Sequence, residues 1–425
     1  MSDRLQPHQL DADLVVVGAG AAGLMAAVWA ARGAPRARVL VLDGARKPGA
    51  KILVAGGGRC NVTHAVVDER DFNGGSPNTI RRVLRAWPVS ATVTFFEELG
   101  VALKREDTGK LFPVSDSARD VLGAFHRELA RLGVALHPRH RVETIEDVAG
   151  GFHLSGAWGS CRARRVILAT GGKSLPKSGS DGSGYALARA LGHSVPGPLL
   201  PALVPLVLAR GHVLRELSGV ATPARLTVKA GSGKRLATAC GDVLCTHFGL
   251  SGPAALDISR HWLTASRADA GAGLYADWLP DASAEDVDRR LQEGGRKGVR
   301  GLVRQWLPQR LADTLCELAG ILPEATCAEL SRTLRRALVQ ALTDMPLPVV
   351  GDRGFQYAEV TAGGVPLDEV DPRTMHSRRC AGLYLVGEIL DVDGRIGGFN
   401  FQWAWASGYL AGQAAAAALV EAYEQ

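Results

Sequence analysis

The 425-residue sequence lacks a CxxC cysteine pair, a long apolar run and a large charge excess of either sign. Its seven cysteines are scattered and none forms a CxxC motif, which argues against a disulfide framework and predicts reduced thiols. No stretch approaches the roughly 20 strongly apolar residues of a membrane-spanning helix. No basic-then-apolar leader pattern stands at the start. We therefore expect a soluble cytoplasmic protein with no membrane association and no metal site.

Lysine and arginine outnumber aspartate and glutamate by 49 to 43, which gives a formal net charge of +6. An excess this small is ordinary for solubility and gives only a hint of RNA binding, which needs cationic surface. Part of the excess lies in one short stretch: Arg296, Lys297, Arg300, Arg304 and Arg310. The length is typical of two or three domains, and 46% hydrophobic residues exclude collagen-like and low-complexity classes.

The 51 glycines exceed an average share of about 7%, and many gather in four widely separated clusters. The first cluster, GAGAAG at residues 18–23, stands between an apolar strand predicted at residues 13–17 and an alanine-rich helix ending near Gly33. A second apolar strand, predicted at residues 38–42, ends at Asp43. The order of strand, glycine turn, helix, strand and acid predicts a dinucleotide-binding unit.

Each glycine of this motif has a physical reason. Gly18 permits the tight turn, Gly20 lets the backbone approach a pyrophosphate, and Gly23 lets the helix pack closely on the strand. The helix N-terminus offers N–H groups to the phosphates. Asp43 follows Gly23 by 20 residues, where an acid can accept ribose hydroxyls. The pattern alone does not separate FAD from NAD.

The second cluster, KILVAGGGRCNVTH at residues 51–64, contains three consecutive glycines at residues 56–58. Their amides can surround an anionic or planar ligand, and Arg59 and Asn61 add directed hydrogen bonds. A redox dithiol would need a second cysteine a few residues after Cys60, and the segment has none. This cluster therefore favours a flavin site without disulfide-reductase chemistry.

In the third cluster, Thr170, Gly171 and Gly172 follow an apolar strand. A strand that ends in such a turn is typical of the place where a chain returns to a bound nucleotide. The next segment, KSLPKSGSDGSGY, is rich in loop-forming residues and leads into a helix predicted at residues 186–191. Its GSDGSG has glycine spacing similar to a nucleotide loop, but no strand directly precedes it. We therefore predict no second Rossmann motif there.

The fourth cluster begins where a strand predicted at residues 383–388 ends in Gly387 and Glu388. It continues through Asp393 into RIGGFNFQWAW and a small-residue helix predicted at residues 406–420. Its paired glycines would let backbone amides approach a ring or a phosphate at a helix start. The aromatic residues of this segment either line the cofactor or pack in the core, and for Trp403 and Trp405 the sequence leaves both open.

Residues 199–349 lack nucleotide-binding motifs. In their first part apolar and polar residues alternate as they do in strands, and residues 230–233 are typical of a hairpin turn. Residues 284–343 have leucines at helical spacing, and Pro323 interrupts this pattern. We predict one nucleotide-binding domain in two segments, with a β domain and a helical subdomain inserted between them. The predicted boundaries are 1–198 and 350–425 for the first, 199–283 for the second and 284–349 for the third.

Five segments together resemble the BaiN/YhiN-like family of FAD-dependent oxidoreductases, some members of which are described as aminoacetone-oxidase-like flavoproteins. The segments are KILVAGGGRCNVTH, ATGGKSLPKSGSDGSGY, THFGLSGPAALDIS, EVTAGGVPLDEVDPRTM and LYLVGEILDVDGRIGGFNFQWAWASG. They occur in order within residues 14–408, nearly the whole chain. The resemblance implies an α/β fold: a discontinuous Rossmann-like FAD-binding domain with an inserted β-barrel-like domain and a helical subdomain.

The resemblance also implies FAD as the cofactor, with its phosphates on Gly18, Gly20 and Gly23. Its adenosine ribose would lie on Asp43, a position where the family more often has Glu. The other positions implied for the cofactor are Ala22, Lys51, Gly57, Gly58, Arg59, Cys60, Asn61, Val142, Thr170, Gly171, Gly172, Gly387, Glu388, Asp393, Gly397, Gly398, Phe399, Asn400 and Gln402.

The chemistry that the resemblance implies is reduction of a C=C bond conjugated to a carbonyl. The implied substrates are a steroid enone and, for some members, a uridine in ribosomal RNA, whose C5=C6 bond is also conjugated to a carbonyl. Hydride from reduced flavin would add at the far carbon while a donor stabilises the developing enolate oxygen. A protonated group would then deliver H⁺, and Cys60, Tyr185 and His247 are the candidates among which the sequence does not choose.

Two other functions stay open at this point. One is an FAD-dependent oxidase of small amines, and the other is a flavoenzyme acting on RNA, for which the basic stretch at residues 296–310 is the hint. The sequence shows no separate NAD(P)H domain. We therefore expect NAD(P)H to dock transiently, or another donor to reduce the flavin.

Overall fold

The computed structural model describes residues 8–424 and divides into two compact units. The first unit contains the chain up to Leu200 and again from Val360, and the second is Pro201–Glu359. The Rossmann-like unit is therefore discontinuous, as predicted. Residues 350–359 fall in the second unit, since a strand that begins at Val349 pairs within its sheet. The separate helical subdomain at residues 284–349 stays a prediction.

The first segment of the Rossmann-like unit alternates strands with helices. Its strands are β1 (His8–Val17), β2 (Val39–Asp43), β3 (Thr63–His64), β4 (Phe72–Gly74), β5 (Leu103–Arg105), β6 (Lys110–Pro113), β7 (Ala135–Pro138), β8 (Thr144–Val148), β9 (Gly151–Gly156) and β10 (Gly159–Leu168). Its helices are α1 (Ala21–Gly33), α2 (Ala50–Val54), α3 (Pro77–Ala86), α4 (Val89–Glu98), α5 (Ala118–Arg131) and α6 (Gly184–Ala190).

The chain continues through eight strands and five helices. The strands are β11 (Leu200–Ala202), β12 (Leu206–Leu208), β13 (Ala221–Lys229), β14 (Arg235–Thr246), β15 (Gly249–Ser251), β16 (Gly273–Asp277), β17 (Met345–Leu347) and β18 (Val349–Asp352). The helices are α7 (Pro253–Ala268), α8 (Ala284–Glu293), α9 (Val299–Val303), α10 (Gln309–Leu318) and α11 (Arg332–Thr343). The predicted hairpin joins β13 to β14, and Pro323 lies between α10 and α11.

The sheet of the inserted unit is antiparallel throughout, in the order β17-β16-β13-β14-β15-β12-β18. Its two outermost strands, β17 and β18, are consecutive in the chain and separated only by Pro348. The two edges of the sheet therefore lie close together, so the sheet curls on itself as a barrel does. This curvature agrees with the β-barrel-like insertion that the resemblance implies.

The return segment contains β19 (Val360–Ala362), β20 (Leu383–Leu385), β21 (Val392–Gly394) and α12 (Phe399–Glu424). The predicted start of the last helix, at residue 406, was wrong, because α12 begins at Phe399. The aromatic residues that made the sequence ambiguous lie in its first two turns. A helix enclosed on most sides can bury large and small side chains together, so it loses the one-sided pattern by which a surface helix is recognised.

The main sheet of the Rossmann-like unit has the order β7-β2-β1-β10-β9-β8, and β20 also pairs with β10. β1 lies parallel to both β2 and β10, so that Val15 stands opposite Leu40 and Val166. All three side chains are buried, as expected for a parallel sheet covered on both faces. The carboxyl ends of these strands carry the first and third glycine clusters, which therefore meet at one edge of the sheet.

Small residues let the backbones of helices α1 and α12 approach each other closely. A Cβ atom on Gly408 would lie 2.5 Å from the Ala22 carbonyl oxygen, and one on Gly412 would lie 2.5 Å from the Ala26 carbonyl oxygen. Contacts this short are not available to any side chain. The glycines of α12 therefore set the distance between the two helices.

We expect Gly408→Ala to lower the free energy of unfolding by about 1–3 kcal/mol, because the added methyl group forces α1 and α12 apart. Denaturant unfolding followed by circular dichroism measures this. Gly301→Ala is the matched control: Gly301 is in helix α9 with nothing within 4 Å of its Cβ position. It should stabilise by about 0.5–1 kcal/mol through helix propensity. Equal effects of the two substitutions would contradict the packing argument.

Candidate functional site

The loop between β1 and α1 is shaped by contacts that only glycine allows. Gly18 has φ 104°, and a Cβ on it would lie 2.4 Å from the Ala169 carbonyl oxygen. A Cβ on Gly23 would lie 1.9 Å from the Gly18 carbonyl oxygen. These two glycines therefore serve packing between β1, α1 and the end of β10, and they fix the loop in one conformation.

Gly20 differs from its neighbours because a Cβ on it would meet nothing within 4 Å. It is the N-cap of α1, no side chain caps this helix end, and the first turn holds no acidic residue. The N–H groups of a first helical turn have no intrahelical acceptor. The open face above Gly20 therefore offers these donors and the positive end of α1 to an anion, as the pyrophosphate of a dinucleotide requires.

Asp43 lies at the end of β2 beside this loop. Its Oδ2 accepts a hydrogen bond from Ala19 N–H at 2.7 Å and its Oδ1 accepts one from Ala45 N–H at 2.7 Å. A carboxylate has about four acceptor positions, so capacity for two ribose hydroxyls is left. His140 N–H donates to the Asp43 carbonyl oxygen at 2.8 Å, which brings the segment carrying the buried Val142 to the same place.

The triple-glycine loop has left-handed backbone almost throughout. Gly56, Gly57 and Gly58 all have positive φ, and so does Cys60, at 62°. A Cβ on Gly57 would meet nothing within 4 Å, and one on Gly58 would meet a single atom at 3.8 Å. Cys60 N–H donates to the Ala55 carbonyl oxygen at 3.0 Å and closes the loop. The loop is a fixed turn with an open backbone face, which suits a planar or anionic ligand.

Arg59, predicted to bond the cofactor, is engaged elsewhere in this structure. Its Nη1 lies 2.6 Å from Glu106 Oε1 and 3.6 Å from Asp116 Oδ1, and its guanidinium stacks 4.0 Å from the Phe112 ring centroid. The sequence carries no signal of this pairing, because the two acids lie far from Arg59 in the chain. A contact between Arg59 and the cofactor stays a prediction.

The three candidate proton donors lie in different surroundings. Burial raises the pKa of the fully buried Cys60 thiol to about 12. Burial, with the charges of Glu388 and Asp391, also raises the pKa of Tyr185, whose hydroxyl lies 3.5 Å from the Glu388 carbonyl oxygen. His247 is exposed, between β14 and β15 of the inserted unit. Cys60 and Tyr185 therefore stay protonated near neutral pH, and the role of each candidate stays a prediction.

A polar network joins the second, third and fourth clusters. Lys51 Nζ lies 2.6 Å from Glu388 Oε2 and donates to Ser174 Oγ at 2.7 Å. Glu388 Oε1 accepts from Ser174 Oγ at 2.8 Å and from Thr361 N–H at 2.9 Å. Thr361 Oγ1 in turn accepts from Lys173 N–H at 2.7 Å. The network fixes the ends of three loops relative to one another.

Sequence reasoning identified Lys51 and Glu388 but missed Ser174 and Thr361. The only local signal was their position beside glycine pairs, in TGGKS and TAGG. Gly172 explains the first pair: a Cβ on it would lie 2.5 Å from Thr361 Oγ1. The network therefore depends on a close backbone approach that no single segment reveals.

Three further predicted positions, Thr170, Gly171 and Gly387, lie beside this network. Gly387 has φ 72°, and a Cβ on it would lie 2.9 Å from the Ala22 Cβ, which brings the fourth cluster against α1. Gly171 has φ 71°, and the preceding Thr170 has a buried Oγ1 without a hydrogen-bond partner among residues 8–424. The first, third and fourth clusters thus converge within the Rossmann-like unit.

Gly397 and Gly398, with φ of 125° and 95°, form the turn before α12. A Cβ on Gly398 would lie 2.6 Å from the Thr63 carbonyl carbon, so the fourth cluster also touches the strand that follows the triple-glycine loop. Asn400 closes the turn: its Oδ1 accepts from Gly394 N–H at 2.8 Å, and its Nδ2 donates to the Gly394 carbonyl oxygen at 2.9 Å.

The remaining predicted side chains of the fourth cluster have protein partners. Phe399 is 1% exposed and stacks on His64 with a centroid distance of 4.8 Å. Gln402 Oε1 accepts from Thr63 Oγ1 at 2.7 Å and from Thr92 Oγ1 at 2.9 Å. Asp393 is buried in β21, where it pairs with β4. The partners of these side chains hold α12 in place, and their contacts with a cofactor stay predictions.

Trp403 and Trp405, which the sequence left open, are core residues with satisfied indole groups. Trp403 Nε1 donates to the Gly387 carbonyl oxygen at 3.2 Å and Trp405 Nε1 to the Val62 carbonyl oxygen at 2.8 Å. Both are buried, and each ties α12 to one of the glycine clusters. Buried tryptophans of this kind add packing area and one directed bond.

A second buried polar cluster lies apart from the glycine loops. His193 Nδ1 is 2.8 Å from Glu369 Oε2, and His193 Nε2 is 2.8 Å from Ser377 Oγ. The order of acid, histidine and serine is similar to that of a nucleophilic triad. Ser377 Oγ, however, also accepts from Arg379 N–H at 3.0 Å and from Cys380 N–H at 2.8 Å. Because its lone pairs are occupied, this serine stabilises a turn and is not an activated nucleophile.

Three of the five basic residues in the stretch at residues 296–310 have partners within the protein. Arg300 lies 3.2 Å from Glu317, Arg304 lies 2.8 Å from Asp313, and Arg310 donates to the Glu216 carbonyl oxygen at 2.6 Å. The hint of RNA binding is weakened accordingly. Across residues 8–424, no cluster of His, Cys, Asp and Glu could hold a metal ion. Within the same range, no helix is both long and apolar enough to cross a membrane.

The fold and the converging glycine loops define a class, the dinucleotide-binding proteins of Rossmann type. Escherichia coli quinol fumarate reductase has a TM-score of 0.52 at 18% identity, covering 98% of this chain and 71% of its own. A 3-ketosteroid delta1-dehydrogenase from Sterolibacterium denitrificans has a TM-score of 0.50 at 14% identity, covering 96% of this chain and 100% of its own. At these identities the likeness shows the fold alone.

The chain belongs to the family of the HI0933-like protein Rossmann domain, whose model matches residues 12–414. A 3-dehydro-bile acid delta(4,6)-reductase from Clostridium scindens is 38% identical over 94% of this chain and 98% of its own length. A ribosomal RNA dihydrouridine synthase from Escherichia coli is 33% identical over 94% and 97%. The predicted family and the class of FAD-dependent oxidoreductase are thereby confirmed.

We expect Gly20→Ser to weaken FAD binding about tenfold or more while leaving the unfolding midpoint of the FAD-free protein unchanged. Serine is a favoured N-cap residue, and its Cβ meets no protein atom, but its side chain takes the space and the N–H groups meant for the phosphates. Quenching of FAD fluorescence measures the affinity. Gly23→Ala, which clashes with the loop itself, should instead destabilise the fold. Unchanged FAD affinity in Gly20→Ser would refute the phosphate site.

We expect one fast-reacting thiol per native chain, since Cys240 is exposed and the other six cysteines are buried. Burial raises the pKa of the Cys60 thiol to about 12, so at pH 8 it is neither accessible nor ionised. Titration with a chromogenic disulfide reagent at pH 8 counts the fast thiols. Cys240→Ser should remove the fast phase and Cys60→Ser should leave it intact; the reverse result would contradict the burial of Cys60.

Proposed function

We propose that this chain binds FAD and uses the reduced cofactor to saturate a C=C bond conjugated to a carbonyl in a small molecule. The observation that carries the proposal is the convergence of the glycine clusters on one unit, with open backbone faces at Gly20 and Gly57. The two curated relatives support the reaction class. Their names describe, for different substrates, the addition of hydrogen across such a bond.

The residues present fit FAD. The first turn of α1 would hold the pyrophosphate, Asp43 the adenosine ribose, and the triple-glycine loop the ring system, while the Lys51–Glu388 network keeps the surrounding loops in register. When bound, reduced flavin supplies the hydride. The other predicted cofactor positions belong to the same proposal.

The protein must also supply a proton and a hydrogen-bond donor. Cys60 and Tyr185 keep their protons near neutral pH because burial raises the pKa of each. Either can donate to a strongly basic carbon or oxygen that forms during reduction. We propose NAD(P)H as the electron donor, docking transiently, and the cytoplasm as the compartment, which the free cysteines support.

Of the two substrate classes, we favour a small enone over a uridine in ribosomal RNA. The bile acid reductase is the more similar of the two relatives described above, and three arginines of the basic stretch are already paired. The RNA activity stays the second candidate, since it is named for a relative that matches the chain almost end to end. Neither relative supports the amine oxidase alternative.

The deciding experiment compares electron acceptors. The FAD-loaded protein is reduced without oxygen by NADPH or dithionite and mixed with a 3-oxo-4,6-diene steroid, with unmodified ribosomal RNA or with oxygenated buffer alone. In a separate arm the oxidised protein is mixed with aminoacetone in air. We expect reoxidation of the flavin, followed at about 450 nm, to be at least tenfold faster with the steroid dienone than with oxygen alone. Faster reoxidation by RNA, with dihydrouridine formed, would select the second candidate. Rapid peroxide formation with aminoacetone would overturn the reductase proposal.

A further inference from the structure

Arg353 is an arginine of the inserted unit whose charge no carboxylate neutralises. Its guanidinium carbon lies 4.4 Å from the centroid of the Phe248 ring and 3.8 Å from that of the Tyr357 ring. In the part of the chain that the structure describes, its side chain forms neither an ion pair nor a hydrogen bond. Other arginines of this unit pair with acids, as Arg225 does with Asp277 at 3.1 Å. A guanidinium stacks on rings through its faces, so the N–H groups at the edge of Arg353 stay available to a ligand.

Contacts within the inserted unit hold Arg353 in place. Its backbone N–H donates to the Pro205 carbonyl oxygen at 3.1 Å, directly after β18 ends. The acid next to it in the chain, Asp352, is engaged elsewhere, because its Oδ1 accepts from Gly354 N–H at 2.6 Å. Cation–π contacts with two rings restrain the side chain itself. A cation that is ordered before a ligand arrives loses little freedom on binding, so Arg353 is preorganised for an anion.

A second arginine adds positive charge at the same turn. His247 and Phe248 connect β14 to β15, and Arg215 Nε donates to the His247 carbonyl oxygen at 2.9 Å. Arg215 Nη1 also donates to the Leu208 carbonyl oxygen, at 3.4 Å. Carbonyl oxygens carry no full charge, and no carboxylate pairs with Arg215 in the described range of the chain. Two guanidinium groups without an acidic partner therefore contact one turn, and their charge attracts anions.

Aromatic surface lies directly beside this charge. Tyr357 is 51% exposed although its ring stacks on Arg353. The His247 ring packs edge-on against Phe248, with a centroid distance of 5.1 Å. Binding sites for small molecules combine ring surface with a few placed polar groups in this way. The arrangement suits a ligand whose acid group is joined to an apolar or aromatic body.

We propose that Arg353, with the adjacent charge of Arg215, forms a binding site for the oxyanion of a small molecule, either a carboxylate or a phosphate monoester. The planar fork of an arginine matches both groups through two parallel hydrogen bonds. Two reactants of the proposed reduction can carry such a group: the enone as a carboxylate, and NADPH as its 2′-phosphate. The site stands on contacts within the inserted unit, whereas its use by either reactant rests on the proposed function.

The test compares pairs of ligands that differ by one oxyanion. Calorimetric titration of the oxidised, FAD-loaded protein measures the affinities for a 3-oxo-4,6-diene steroid carboxylate and its methyl ester, and for NADP⁺ and NAD⁺. We expect wild type to bind the member with the extra oxyanion about tenfold more tightly in at least one pair. Arg353→Gln should abolish this preference and leave the affinity for the other member within twofold of wild type. Arg353→Lys should keep only part of the preference, because an ammonium group lacks the planar fork.

Arg235→Gln is the matched control, since Arg235 is exposed at the start of β14, and it should leave every affinity unchanged. A preference for the steroid carboxylate assigns the site to the substrate, and one for NADP⁺ assigns it to the electron donor. If wild type shows neither preference, or if Arg353→Gln keeps it, the inference is wrong. An Arg353→Gln protein that loses only affinity for ribosomal RNA would also overturn it. A wild-type protein that takes up no FAD would refute the proposed function, and the same titrations of the FAD-free protein would still decide the oxyanion site.

Discussion

The partly buried ion pair between Lys51 and Glu388 is the interaction on which the site depends. It joins positions 337 residues apart, and Ser174 and the Thr361 N–H share the same carboxylate. The two side chains are 25% and 19% exposed, so breaking the pair would leave a charge that water reaches only in part. The chain therefore keeps three loops in register through one carboxylate, although the inserted unit separates their segments in the sequence.

Close backbone approach is the second constraint, and it explains where the glycines are found. At Gly18, Gly23 and Gly172 the space of the missing side chain is filled by neighbouring protein atoms. At Gly20 and Gly57 the same space is open. The same residue type thus serves two purposes within one motif. Only the second group can serve a ligand, and it identifies the surfaces on which a dinucleotide would lie.

Sequence alone predicted the features that local pattern controls. The βαβ unit with Asp43, the β13–β14 hairpin and the helices on either side of Pro323 follow from periodicity and turn residues, and all are present. What it missed depends on partners distant in the chain: Thr361 in the network and Glu106 against Arg59. The start of α12 was missed because a buried helix has no polar face.

Whether the buried Cys60 and Tyr185 carry a proton decides whether they can give a proton to a substrate during reduction or take one up during oxidation. A side chain that takes a proton from an amine substrate must itself be unprotonated, and Cys60 and Tyr185 are protonated near neutral pH because burial raises the pKa of each. Saturation of an enone needs a proton donor instead. Cys60 and Tyr185 keep a proton that only a strong base can remove. The enolate that forms after hydride addition is such a base. Groups that are poor acids toward water can therefore still protonate it, so the buried thiol and phenol fit a reductase better than an oxidase.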